Sequence, residues 1–175
     1  MHLRQLTIPH KERLSVERIN RQAAAHGTDW SQIDFATPID LLRHFLCPTL
    51  TPLYYTSIYR ELSAAQALRY NQLTGMCFNE LIAMFEESLS TTALAALCRS
   101  ARLPAALKES LAHFSCEEAR HCQTWRALNR LSAPQWYSNQ HRVIIRIPRP
   151  LEWVCSFISA RPHLFPAVIW LMLAL

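Results

Sequence analysis

The stretch from Ala64 to Leu103 contains no proline, and after Pro104 a second proline-free stretch runs to Ala133 before Pro134. Proline inside a helix removes a hydrogen bond and clashes with the preceding turn, so Leu103-Pro104 and Ala133-Pro134 predict breaks, and the stretches they bound predict long helices. Ala, Leu and Glu dominate the first, and Ser63-Ala64-Ala65-Gln66 has the spacing of a capping box that opens it. The expectation is one helix from Ala64 to about Arg102, a turn near residue 103, and an antiparallel helix from about Ala105 to Leu131. The whole chain has two glycines, Gly27 and Gly75. That scarcity excludes glycine-rich phosphate loops and dinucleotide fingerprints and disfavours tight hairpins, so the expected fold class is all-α.

In the second helix Leu107, Leu111, Phe114, Glu118, His121, Trp125 and Leu128 recur three and four apart and share one face. An acid and a histidine therefore sit inside an apolar stripe. The spacing Glu118-x-x-His121 alone says little, because a chain of 175 residues with ten Glu and eight His meets it by chance. Its placement says more: a buried, unpaired carboxylate is costly and demands a partner, a proton or a metal. A turn near residue 103 sets Glu118 opposite about residue 88 and His121 opposite about residue 85, the height of Glu86 and Glu87. Glu80 misses that height by roughly 8 to 12 Å at the helical rise. Glu86 continues the row of Ile82, Leu89 and Ala93 and is the preferred inward carboxylate; Glu87, on the side of Glu80 and Thr91, is the fallback. The alternative is that both acids are solvated. Phe78, Leu81, Ile82, Phe85 and Leu89 form an apolar stripe expected to be buried, with Leu73, Cys77 and Met84 on the other side.

The remainder is expected to frame this hairpin in a single domain. Residues 1–36 read as a polar, irregular arm with a short helix within Leu14 to Ala25, and residues 37–62 as short helices. Thr37 caps one of them, with Pro38 at its first position, running through Phe45, and Thr51-Pro52 starts another. Tyr54, Tyr55, Tyr59 and Tyr70 are expected to close one end of the core. Residues 63–131 hold the hairpin, and 132–175 a connection, with a brief extended piece at Val143 to Ile147, followed by an apolar C-terminal helix. The apolar stretch Leu164 to Leu175, which contains Pro166, is shorter than the roughly twenty residues a membrane span needs, so no membrane span is expected. Six cysteines without a C-x-x-C pair read as reduced core residues, not as a disulfide frame or zinc site. The N-terminus has no continuous apolar segment, so no secretory signal is read there and a cytoplasmic location is expected. Of the net +5, residues 61–125 carry seven acids against five basic residues, and residues 126–175 six Arg against the single acid Glu152. His141, Arg142, Arg146 and Arg149 read as a solvated connection and no nucleic-acid partner is expected.

An inward Glu facing a Glu-x-x-His across two antiparallel helices is half of a carboxylate-bridged dimetal site. Hard carboxylates bridge and charge-balance two iron or manganese ions, and imidazole adds a terminal nitrogen ligand. The tyrosine-rich TPLYYTSIYRELSAAQALRYNQL, the AMFEESL around Glu86 and the SCEEARHCQTW around Glu118 and His121 together resemble the p-aminobenzoate N-oxygenase type of diiron oxygenases in the ferritin-like superfamily. The resemblance covers roughly residues 48–130. It implies a ferritin-like helical bundle and a non-haem diiron protein, carrying iron or manganese, that uses O2 to oxidise an amine or other small organic substrate. Glu86, Glu118 and His121 are the matching ligands. The chain departs from that family where a second helix pair should supply another Glu and another His-bearing set, since residues 131–175 hold one acid. The expectation is therefore the N-terminal half of such a bundle, truncated or split, active with its missing half or as a homodimer pairing two half-sites. Alone it should be oligomeric or poorly soluble. The alternative is a non-catalytic helical interaction module that packs its apolar face on a partner; a single-metal protein with water completing the shell is a third reading.

Overall fold

The computed structural model describes residues 10–26, 34–87, 92–165 and 167. Among them every regular element is helical, so the chain is all-α. The α-helices are α1 (His10–His26), α2 (Ser57–Glu61), α3 (Ala64–Phe85), α4 (Thr92–Cys98), α5 (Ala105–Ser132), α6 (Pro134–Tyr137) and α7 (Arg149–Ser159), and a 3-10 turn occupies Pro48–Leu50. Two compact units divide them, one of residues 34–83 and 123–146, the other of residues 1–33, 84–122 and 147–175.

In the unit of residues 34–83 and 123–146, the capping box forms as its spacing predicts. The Ser63 N–H donates to Gln66 Oε1 at 2.9 Å and the Gln66 N–H to Ser63 Oγ at 3.3 Å. Thr56 caps α2 through the Tyr59 N–H. The buried face of α3, however, is Asn71, Gln72, Gly75, Met76, Glu80 and Ala83. Phe78 and Leu81, expected inside, are 48% and 47% exposed. The face turned inward is polar because it serves neighbouring backbone. Asn71 Oδ1 accepts the N–H groups of Phe45 and Leu46 at 2.8 and 3.0 Å while its Nδ2 donates to Leu46 O at 2.9 Å. Gln72 Nε2 donates to the carbonyls of Leu41 and Arg43 at 2.6 and 3.3 Å.

These bonds also explain why Thr37 to Phe45 is not the helix its Thr-Pro start predicts. The segment is a series of turns. Asp34 takes the Ala36 N–H and the Thr37 hydroxyl, and Asp40 the Leu42 N–H, local bonds that compete with a helix. Gly75 lets this segment lie close on α3, since a Cβ there would stand 2.8 Å from Phe45 Cβ. Thr51-Pro52 opens turns instead of a helix, and Thr51 donates its hydroxyl back to Pro48 O at 2.7 Å. The tyrosines do gather: Tyr54 meets Tyr55 and Tyr59, Tyr59 meets Tyr70, and the Leu53 N–H donates to the Tyr70 hydroxyl oxygen. Met76, Ala133 and Tyr137 form the buried cluster of this unit, with Phe45, Leu73 and Val143 packed against it. The short α6, not foreseen, delivers Tyr137. Residues 143–147 are irregular and not strand-like, because the N–H groups of Val143, Ile144 and Ile145 bond the Glu80 carboxylate.

In the other unit, α1 is longer than the short helix expected within Leu14 to Ala25. The buried Asn20 donates through Nδ2 to Ala106 O at 2.9 Å, and Ser110 Oγ donates to Asn20 Oδ1. The first long helix was expected to reach Arg102; α3 ends at Phe85, Glu86 and Glu87 take wider π-type turns, and α4 resumes at Thr92 beyond residues outside the described set. Helix α4 packs on α7. Helix α7 was also unforeseen, although Pro150 near its start and Glu152 in its first turn suit a helix N-terminus. Most of Leu164 to Leu175, the expected C-terminal helix, lies outside the described residues. On α7 Trp153 stacks on Phe157, and the Arg161 guanidinium lies 4.2 Å over the Phe157 ring. None of the six cysteines forms a disulfide, but Cys47 and Cys116 are exposed, so they are not uniformly core residues. No helix among the described residues is long and apolar enough to cross a membrane.

Candidate metal centre

Glu118 and His121 stand one turn apart on α5, and Glu86 follows the last residue of α3. The wider π-type turn at Glu86-Glu87 alters the rotation per residue, a device that re-aims side chains. Glu86 is buried, while Glu87 is exposed. His121 Nδ1 lies 3.7 Å from Glu86 Oε1 and 3.7 Å from Glu118 Oε1. One ligand atom from each of the three residues lies within 4.8 Å of the others. The carboxylate side chains are 11% and 10% exposed, whereas the imidazole is 37% exposed, so the group is shielded on the acid side and open at the histidine. The Cys122 thiol donates to the second oxygen of Glu86 at 3.6 Å.

Burial pushes the Glu118 carboxyl above its usual range; His121 opposes that shift and Glu117 adds to it. Two buried carboxylates side by side favour any cation that can sit between them, whether a proton, an imidazolium or a metal ion. Around one ion with bonds of about 2.1 Å, ligand atoms stand roughly 3.0 Å apart at right angles and 3.4 Å at tetrahedral angles. The two imidazole–carboxylate distances of 3.7 Å are roughly 0.3–0.7 Å wider than these, and all three ligand atoms lie within 4.8 Å of one another, so the side chains would close in around an ion. Two carboxylates and one imidazole are a donor set for iron, manganese or zinc, and the four carboxylate oxygens permit bridging. The three residues can thus hold a metal ion.

No family model, curated protein or solved structure matches the chain. The chemistry of the group therefore follows from its donors and their geometry. The expected register between the helices is nearly right: Asn79 meets Asn129 in one unit, and Glu86 meets His121 and Cys122 in the other, where residue 88 opposite Glu118 and residue 85 opposite His121 were expected. Glu80, placed too far along α3 to join, is spoken for elsewhere. Its Oε1 accepts the Tyr137 hydroxyl at 2.6 Å and the Val143 N–H at 2.7 Å; its Oε2 accepts the Ile145 N–H at 2.7 Å; the Ile144 N–H reaches both oxygens. Cys122 was the residue missed. It lies four positions after Glu118, on the same face, and that spacing was its only signal.

Proposed function

We propose that Glu86, Glu118 and His121 are ligands of a carboxylate-bridged dimetal centre and that the chain is a non-haem diiron oxygenase-like protein with a ferritin-like arrangement of helices. It would oxidise a small organic substrate with O2. The observation that carries this reading is that two buried carboxylates and an imidazole, from the end of α3 and from α5, bring ligand atoms within 4.8 Å of one another. Glu86 and Glu118 would hold the ions through their carboxylates and His121 through a ring nitrogen. The bound ions, iron or manganese, would supply the O2 chemistry, and the open histidine side gives a route for small molecules. Three side chains leave two ions short of donors, so the remaining ligands come from a second copy of the chain or from another polypeptide segment. The test is the metal content of the chain after loading with Fe(II) or Mn(II), compared with Glu118→Ala/His121→Ala. Loss of bound metal in the double variant is expected, with Glu87→Ala behaving as the parent; unchanged metal in the double variant would sink the reading.

A second reading, a helical interaction module, is favoured by exposed apolar side chains in both units. Phe78 and Leu81 lie on α3, and Leu151, Val154 and the 67% exposed Trp153 on α7. Under that reading Glu86, Glu118 and His121 form a hydrogen-bonded group without metal, and the alanine variants leave metal content at background.

A further inference from the structure

We propose that a cavity past the C-termini of α4 and α7 binds a small phosphomonoester. It is independent of the metal group and uses none of its residues. The cavity holds about 370 Å³, within the range of small-molecule sites. Arg99, Ser100 and Arg102, from the turn between α4 and α5, form one wall, and Ala160, Pro162 and His163, after α7, form another. No acid lines it, and neither arginine is paired with a carboxylate among the described residues.

Three observations fix the chemistry. Two guanidiniums offer a fork of N–H donors each, which matches the oxygens and the double charge of a phosphomonoester better than a monocarboxylate. Ser100 Oγ accepts the Arg102 N–H at 3.3 Å, which leaves its own hydroxyl proton to donate to a ligand oxygen. Ala96 and Leu97, with Ala160 and Pro162, add apolar lining beside the arginines, so the space suits an organic substituent and not the phosphate group alone. The helix C-termini nearby do not use up the positive charge. Each contributes at most about half a unit of negative partial charge, against two full positive charges. Arg161, the other arginine at this end of α7, is turned onto Phe157 and does not line the cavity.

Titration calorimetry of the full chain with phenyl phosphate, inorganic phosphate and benzoate tests the proposal. Saturable binding is expected, with phenyl phosphate tightest. Arg99→Ala/Arg102→Ala should weaken it about tenfold or more. Ala160→Trp, which fills the cavity without touching charge, should weaken phenyl phosphate as well. Circular dichroism confirms that each variant is folded, and Glu118→Ala/His121→Ala should bind phenyl phosphate like the parent. Binding undiminished by the arginine substitutions, binding insensitive to Ala160→Trp, or benzoate binding as tightly as phenyl phosphate would each overturn it.

Discussion

Replacing Glu80 by alanine should be among the most damaging single changes in this chain. The side chain is 1% exposed and accepts from four donors, the Tyr137 hydroxyl and the N–H groups of Val143, Ile144 and Ile145. Hydrogen bonds to a charged group contribute roughly 1.5–3 kcal/mol each, and four taken additively would exceed half of the net stability of most domains. That sum is not reached, because residues 143–145 can peel off α3 and recover water once the carboxylate is gone. The loss is then set by the neutral donors left without an acceptor, roughly 1–3 kcal/mol for each that stays buried, or about 3–5 kcal/mol in all after relaxation. For a chain of this size that lowers the melting temperature by roughly 10 °C. Glu80→Gln should fall between alanine and the parent, since the amide keeps one acceptor oxygen but turns an N–H2 group toward backbone donors. Tyr137→Phe removes one donor of four and should cost about 1–2 kcal/mol. Urea denaturation gives the free energies, and amide hydrogen exchange gives the mechanism: Val143, Ile144 and Ile145 should lose protection selectively in Glu80→Ala. A Glu80→Ala protein within 1 kcal/mol of the parent, with those three amides still protected, would refute the reasoning.

Asn71→Ala removes the acceptor of two backbone N–H groups and the donor to Leu46 O, and should cost about 2–3 kcal/mol by urea denaturation. Gly75→Ala brings a methyl group to 2.8 Å from Phe45 Cβ, where no flexible side-chain end can give way; a loss of about 1–3 kcal/mol is expected despite the gain in helix propensity. Phe78→Ser/Leu81→Ser, on the exposed side of α3, should leave the melting temperature within a few degrees of the parent and reduce self-association in sedimentation velocity.

Some local signals gave the expected structure, while the helix starts read at Thr37-Pro38 and Thr51-Pro52 became turns. The capping box at Ser63, the breaks at Pro104 and Pro134, and the three-residue spacing of Glu118 and His121 all appear in the structure where the sequence puts them. What failed was the inference from apolar periodicity to burial on α3. Phe78 and Leu81 point outward because the inward face must supply hydrogen bonds to backbone at residues 41–46 and 143–145. Those segments lie tens of residues away, and no local pattern announces their unsatisfied N–H and C=O groups. The missing helix at Thr37 to Phe45 has the same origin: once Asn71 and Gln72 satisfy that backbone, a helix is no longer needed to do so.

The three glutamates on or just after α3 show how burial and metal competence part company. If burial alone selected a ligand, Glu80 would be chosen over Glu86, being the more deeply buried. Yet both Glu80 oxygens are engaged by hydrogen bonds from a phenol hydroxyl and three backbone N–H groups. A cation there would have to break them. The neighbours of Glu86 include an imidazole nitrogen at 3.7 Å and a thiol, a weak donor, at 3.6 Å. The imidazole can share an ion with the carboxylate, and the thiol bond gives way at little cost. Glu87, exposed, can place its charge in water. The identity of the neighbours, more than the depth of the carboxylate, is therefore what makes Glu86 the candidate ligand and Glu80 a structural anchor.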